Sequence, residues 1–419
     1  MNFRPNPLLY GANEDFYSTF RLVVTMRSEV DYETFSRSVE LAMERYPYFN
    51  VCPVRKGNSL VLEYNTKHVP VFDDGRCVML GTEESNGHLL TFGCEGKKIY
   101  LDASHYIADG MGITPLLNTV LYLYVSQLFD TEGLNCDKIN MLDGPVMKEE
   151  YDYPFPEKLS EPDFCLVPRK APESVYAPCR GEDDGDELYA YHIHIPQKAM
   201  MSIANPADGS PVSFLAVMMY RAFCRLDDNI EKPVVAHVQH QYRSVLKAPM
   251  SKHSLVSYIP VVFPQSAKGW EVERQNTIVR GQVILGSEPE ADLSAINRLI
   301  SVFDDEKRVS FEEKKKAMRE YTENSICHKT FGISYVGKTD WCGLDKYVED
   351  MNAYLGEKHT KHMFIIEVLT IRDDFTITFM QKGHSTRYVD AFVGELRSFG
   401  VPVSVDGGRE YSVCDTKIP

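Results

Sequence analysis

The sequence predicts an α/β (α+β) protein built from two similar units, each a mixed sheet covered by helices. A strand followed by an amphipathic helix opens the chain at residues 20–26 and 31–46, and the same order returns at 188–195 and 213–225. A chain of 419 residues, 43% of them hydrophobic, is long enough to bury two such cores. The resemblance between the halves is one of element order and not a repeat of residues.

A proline-rich stretch separates the two predicted units. From about residue 131 to 187 the hydrophobic periodicity fades, and seven prolines fall between 145 and 178. A structureless stretch of this length is unusual inside a compact domain, so we expect an ordered arm or crossover along the surface. The predicted organisation is an N-terminal unit at 1–130, a connecting arm at 131–187 and a C-terminal unit at 188–419.

Local signals define the elements of the N-terminal unit. Asp31 can cap the first helix, and Pro47 ends it. Thr114 is a candidate N-cap for the second helix, with Pro115 in its first turn, where a missing N–H costs nothing. The predicted elements are strands at 20–26, 50–54, 59–63 and 98–105 and helices at 31–46 and 115–129.

In the C-terminal unit, two apolar segments separated by Arg372-Asp373-Asp374 predict an antiparallel hairpin. The basic run Lys314-Lys315-Lys316 follows two glutamates in a helical pattern, which favours a solvated face, although contact with a coenzyme phosphate is the alternative. The predicted elements are strands at 188–195, 233–239, 332–336, 363–371 and 375–381 and helices at 213–225, 292–304, 311–321 and 387–399.

Composition excludes several classes of function. A net charge of −15 argues against a nucleic-acid partner, because phosphate binding needs a basic surface. No apolar run approaches the ~20 residues of a membrane span, and the first residues lack the apolar core of a signal peptide, which predicts a cytoplasmic protein. The ten cysteines form no C-x-x-C pair and no zinc-like spacing, so we expect reduced, individually placed residues.

One histidine stands out chemically. Ile99, Leu101, Ala103 and His105 alternate onto one face of a predicted strand, so the imidazole should point inward. Asp109 and Gly110 follow at a strand-to-helix turn, and none of the other eleven histidines has an aspartate four residues later. The spacing suits the base of an acyl transferase and its orienting carboxylate. A buried structural histidine beside a turn aspartate remains the alternative.

The segment resembles the His-x-x-x-Asp-Gly motif of the chloramphenicol acetyltransferase-like superfamily, in its alcohol acetyltransferase and condensation-domain branches. The resemblance covers nearly the whole chain. The first helix ending in Tyr46-Pro47-Tyr48-Phe49 is similar to theirs, as are the segment 239–249, which contains Arg243, and the strand 332–337. Three features differ: His253-Ser254 stands where the family shows Gly-Asn, Tyr335 replaces an asparagine, and the Asp-Phe-Gly-Trp-Gly stretch of plant members is not visible.

The resemblance implies two chloramphenicol acetyltransferase-like subdomains, with the active-site channel between them. It implies that His105 is the general base, that Asp109, beside Gly110, is a structural carboxylate paired with Arg243, and that Ser334 donates a hydrogen bond to the oxyanion. The thioester donor would be acyl-CoA, the acceptor a small-molecule alcohol or amine, and no bound cofactor or metal would be required. An O- or N-acyltransferase is therefore the predicted enzyme class.

Two alternatives stay open. A condensation-like enzyme would take its acyl group from an acyl carrier protein, and a catalytically silent descendant would use the fold only to bind a ligand. Three aromatic residues, Tyr258, Tyr335 and Trp341, are candidates either for a pocket lining or for the core. Four histidines, at 192, 194, 237 and 240, alternate along two strands, but no carboxylate cluster accompanies them at metal-ligand spacing.

Overall fold

The computed structural model describes residues 7–11, 19–129, 131, 134, 139, 144–155, 169–179, 181, 184–301, 310–326, 328–338, 341–356 and 363–419. Parts of the predicted connecting arm, including residues 156–168, therefore lie outside the described residues. The strands are β1 (Thr19–Met26), β2 (Val51–Lys56), β3 (Ser59–Tyr64), β4 (Val71–Phe72), β5 (Leu90–Glu95), β6 (Lys98–Ser104), β7 (Leu188–Pro196), β8 (Val234–Gln241), β9 (Val256–Phe263), β10 (Phe331–Lys338), β11 (Val348–Leu355), β12 (Phe364–Ile371), β13 (Asp374–Lys382) and β14 (Ser404–Glu410). The helices are α1 (Tyr32–Arg45), α2 (Gly110–Leu128), α3 (Lys148–Tyr151), α4 (Gln197–Ala204), α5 (Pro211–Leu226), α6 (Val272–Gly286), α7 (Pro289–Ser301), α8 (Phe311–Ile326) and α9 (Arg387–Ser398).

Two main sheets organise the described chain. The first has the order β11-β1-β6-β5-β4, and the second has the order β14-β7-β13-β12-β10-β8-β9. In the second sheet β10 runs parallel to β8 and β12, whereas the other neighbours are antiparallel, so that sheet is mixed as predicted. Helices α1 and α2 contribute to the core of the first sheet, and α5 and α9 to that of the second. The predicted α/β class is confirmed.

Strand β11 joins the two halves. It belongs by sequence to the predicted C-terminal unit, yet it pairs antiparallel with β1, with Leu355 opposite Phe20 and Met351 opposite Val24. The other neighbour of β1 is β6, which carries Ser104 opposite Thr19. The sheet of the first half is thus completed by the second half, while the unit boundaries at 130 and 188 stay predictions.

Helix α2 begins earlier than predicted. Its N-cap is Asp109, whose Oδ1 accepts from the Gly112 N–H at 2.8 Å, and not Thr114. Thr114 is already helical, with its hydroxyl donating to the Gly110 carbonyl at 2.6 Å, and Pro115 lies inside the helix. Asp109 and not Thr114 caps the helix because the Asp109 carboxylate accepts a hydrogen bond from a free N–H of the first turn.

Other expectations need correction. The predicted 233–239 and 387–399 segments form β8 and α9, but strands β4, β5, β9, β11 and β14 and helices α3, α4 and α6 are absent from the prediction. In α8, Lys314 is buried with its ammonium 5.9 Å from the Tyr10 ring centre, so this residue does not lie on a solvated face.

None of the described helices combines the length and the hydropathy that a membrane span needs.

Candidate functional site

His105 follows the last residue of β6 and precedes α2. The strand buries Ile99, Leu101 and Ala103 on one side, and His105 continues that side inward, as the alternation predicts. Its ring packs against Phe20 of β1, with 4.5 Å between the ring centres. The strand pairing of β1 with β6 therefore fixes where the imidazole lies.

The imidazole borders a cavity of about 730 Å³ that both halves of the chain line. This volume suits a drug-sized ligand. The first half contributes β1, the end of β6 and the start of α2, and the second half contributes β8, β10 and β12. Lining residues include His105, Gly110, Asn118, Tyr258, Ser334, Trp341 and Glu367.

Burial lowers the pKa of His105 below its ordinary value, and the negative charge of Asp109 offsets only part of that effect. The Nδ1 atom is buried. A lowered pKa keeps the imidazole neutral at pH 7, which is the form that can accept a proton.

Asp109 is turned away from the imidazole and is fully occupied by other partners. Its carboxylate accepts two hydrogen bonds from the Arg243 guanidinium, each of 2.8 Å, and one from the Leu255 N–H at 2.9 Å. Both charged residues are buried, at 3% and 6% exposure. The pairing implied by the family resemblance is thus present, and the turn-capping role of the aspartate, at the Gly112 N–H, coexists with it.

Arg243 in turn holds the segment that follows β8. Its guanidinium donates to the carbonyls of Ser251 and His253, at 3.2 and 3.0 Å. The start of α2 touches the same segment, because a Cβ on Gly112 would lie 2.2 Å from the Lys252 carbonyl oxygen. A glycine is therefore required at position 112, and the turn after His105 is clamped from the second half.

His253-Ser254, which stands where the resembling family shows Gly-Asn, makes defined contacts in the structure. The His253 Nε2 lies 2.9 Å from the Tyr151 carbonyl, and Ser254 lines the cavity. The neighbouring Glu150 is buried between Arg45 and Tyr48, which donate to its carboxylate at 2.8 and 2.6 Å. The Arg45-Tyr46-Pro47-Tyr48 segment thus anchors the chain that supports the His253 loop.

Ser334 lies on β10 in the wall of the cavity, as a donor to an oxyanion would need to. Its hydroxyl donates to the Gln239 Oε1 on β8, and Glu367 of β12 stands opposite it in the parallel pairing. Sequence reasoning missed Glu367. The signal that could have found it is a single acidic residue in the strand Phe364–Ile371. Apart from Glu367 and Thr370 the residues of this strand are apolar, as is typical of a strand buried on both faces.

The aromatic residues and histidines singled out in the sequence lie in different surroundings. Tyr258 and Trp341 line the cavity, whereas Tyr335 packs on the core of the second sheet with its ring 5.8 Å from that of Phe375. His192 bonds to the Tyr354 hydroxyl at 2.7 Å and His240 contacts Asp292 at 3.0 Å, so these two histidines have separate partners.

Among the described residues, one group brings three potential metal ligands within 4.8 Å of one another: Cys77, Asp102 and Cys414. Asp102 is already held by Arg21 in a bidentate pair, with contacts of 2.8 and 2.7 Å, so a cation would compete with the guanidinium. The expectation of individually placed cysteines is wrong for Cys77 and Cys414, which the fold brings together from distant parts of the sequence. Both are free thiols.

No family model matches the sequence, and no curated protein matches it. Solved structures do match. The chain is similar to F. sporotrichioides TRI101 in complex with coenzyme A and T-2, with a TM-score of 0.61 at 10% identity over 97% of this chain and 100% of that one. It is also similar to the condensation domain of the monacolin K polyketide synthase MokA, with a TM-score of 0.55 at 10% identity over 95% and 97% of the two chains.

A condensation domain that mediates chain release from the enacyloxin polyketide synthase matches with a TM-score of 0.51 at 13% identity, over 95% of this chain and 82% of that one. These likenesses span almost the entire chain. The protein therefore has the fold of TRI101 and of these condensation domains.

Proposed function

We propose that the protein transfers an acyl group from acyl-CoA to a hydroxyl or amine acceptor, with His105 as general base. The observation that carries the proposal is an imidazole on the wall of a ligand-sized cavity that both halves of the chain line, with Asp109 and Arg243 bracing the turn behind it. Since Nδ1 is buried, Nε2 is the nitrogen left to meet the acceptor. The coenzyme A complexes of TRI101, which share the fold, support the choice of donor.

The proposed reaction needs one proton relay and one oxyanion contact. As the acceptor oxygen or nitrogen forms a bond to the thioester carbonyl carbon, its proton passes to His105. The carbonyl oxygen becomes an oxyanion, to which the Ser334 hydroxyl donates after rotating away from Gln239. When the carbon–sulfur bond breaks, His105 returns the proton to the thiolate, which leaves as free coenzyme A. The acyl group never bonds to the protein.

The direct test is release of free thiol from acetyl-CoA and longer acyl-CoAs across a panel of alcohols and amines. We expect release that depends on both donor and acceptor. Release with acyl groups loaded on a carrier protein, but not with acyl-CoA, would favour the condensation-like alternative. Saturable binding of acyl-CoA without thiol release from any acceptor would favour a binding protein.

The pH dependence gives a second test. A neutral His105 is required, and burial lowers its pKa, so kcat/KM should fall only as the pH drops through a value below the ordinary ~6.5 of histidine. An alcohol acceptor should be used, because an amine would add its own ionisation. An acidic limb centred above the ordinary histidine value in both the parent protein and Glu367→Gln would contradict the assignment of His105 as the base.

Replacing Ser334 with alanine should reduce turnover more than substrate binding. Loss of one oxyanion donor typically removes about 2.7–4 kcal/mol of transition-state stabilisation, so kcat should fall by about 10²-fold or more. Ser213→Ala, which changes a buried serine of α5 that does not line the cavity, is the control. Full turnover of Ser334→Ala with every accepted donor would make the hydroxyl a purely structural part of β10.

A further inference from the structure

Four polar side chains form a row across neighbouring strands on the cavity face of the second sheet. Tyr258 of β9 stands opposite Gln239 of β8, and Ser334 of β10 stands opposite Glu367 of β12. The Ser334 hydroxyl bonds to the Gln239 side chain and so links the two pairs. All four line the cavity. We call Tyr258, Gln239, Ser334 and Glu367 the polar row.

The proposed transfer reaction uses only Ser334 of the polar row, and Glu367 is the acidic member that it leaves without a role. Its neighbours Ile366 and Val368 point into the core of the second sheet, so Glu367 faces the cavity, between Ile365 and Leu369. The residue is only 8% exposed. Among the described residues no arginine, lysine or histidine forms an ion pair with it, whereas Arg169 and Arg243 are already held by Asp292 and Asp109.

An ionised carboxylate in such a position is costly unless a cation accompanies it. Burial raises the pKa of Glu367 to about 7, and the Ser334 hydroxyl offsets only part of that rise. The residue is thus poised to ionise when a cation enters. The row also presents mainly oxygen atoms, which match an ammonium group, since an ammonium donates three hydrogen bonds and accepts none.

We propose that Glu367 determines acceptor specificity by pairing with a protonated nitrogen of the acceptor, so that the acceptors are small molecules bearing a basic amine. The proposal rests on the proposed acyl transfer. The paired nitrogen is not the one acylated, because a carboxylate partner favours the protonated form, which has no lone pair to attack a thioester. The acceptor therefore carries a second group, a hydroxyl or another amine, that reaches His105.

Binding of matched ligands tests the inference directly. Tyramine and tyrosol share a phenol and a two-carbon arm and differ in an ammonium against a hydroxyl; 6-aminohexanol and 1,6-hexanediol form a second pair. At about pH 8 we expect the parent protein to bind the amine of at least one pair about tenfold or more tightly, as a charge-assisted hydrogen bond allows. Calorimetric titration in the presence of coenzyme A measures each Kd.

Glu367→Gln should remove that preference, because the amide keeps the size of the side chain and its hydrogen bonding to Ser334 but lacks the charge. Glu367→Asp should retain part of it. Glu173→Gln is the matched control, since Glu173 lines the same cavity but is exposed, and it should leave the preference unchanged. Equal affinities within both pairs in the parent protein, or no binding of either amine, would overturn the proposal without any variant.

A preference that survives Glu367→Gln, or that Glu173→Gln removes equally, would also overturn it, because the attraction would then come from the general acidity of the chain. The measurement is independent of turnover. Amine preference without thiol release would leave the Glu367 site standing while refuting acyl transfer. Thiol release with no preference for amines would support acyl transfer while refuting the Glu367 site.

Discussion

Replacing His105 with alanine should abolish acyl transfer while leaving the protein folded. The imidazole is the group that moves the proton, and general base catalysis contributes about 10²–10⁴-fold to the rate. Because its side chain borders a cavity at the end of β6, the lost volume opens into space that is already empty of protein atoms. Thiol release measures the activity, and thermal melting measures the fold.

The matched control is His328→Ala, which removes another imidazole from the wall of the same cavity. That variant should keep its turnover, since no proton transfer is assigned to it. Unchanged turnover in His105→Ala would remove this residue from the mechanism. Equal losses in both variants would point to a general change of the cavity and not to proton transfer.

Removing either charge of the Asp109–Arg243 pair should destabilise the protein by about 3–5 kcal/mol, because the remaining charge would be buried without compensation. The double variant should lose less than the sum of the single losses, since it leaves neither charge unpaired. A double-mutant cycle of Asp109→Ala and Arg243→Ala, followed by denaturant unfolding, measures the coupling. Strict additivity would contradict direct contact.

An exposed pair provides the comparison. Arg319 and Glu323 on α8 lie 3.1 Å apart with side chains about half exposed, and such pairs contribute about 0–1 kcal/mol. The same cycle on this pair should give a small coupling. Turnover offers a further distinction, because loosening the turn after His105 should lower kcat in the Asp109 and Arg243 variants even at temperatures where they remain folded.

The sequence predicts those parts of the site that depend on residues close together in the chain. The alternation on β6, the break at Asp109-Gly110 and the helix that follows lie within a short span, so periodicity and turn chemistry place His105 correctly. The partner of Asp109 lies 134 positions away, at Arg243. Only the family resemblance connects these two positions, because no local property of either segment specifies the other.

Other features depend on tertiary contacts. Glu367 appears in the sequence as an irregularity in an apolar strand, and its meaning requires the neighbouring strands that bring Ser334 and Gln239 beside it. The start of α2 depends on competition between Asp109 and Thr114 for free N–H groups. The proximity of Cys77 and Cys414 arises from the path of the last residues, where Lys417 donates a hydrogen bond to Leu80.

The position of β11 has a consequence for how the chain is made. During synthesis β1 emerges long before its partner at Val348–Leu355, because nearly all the other strands and helices lie between them in the chain. Until then β1 is an edge strand with unpaired N–H and carbonyl groups, which is a template for aggregation. Non-local pairing of this kind also slows folding. The nascent protein should therefore depend on chaperones, and an isolated fragment ending at residue 130 should precipitate unless a peptide spanning 348–355 is supplied to close its sheet.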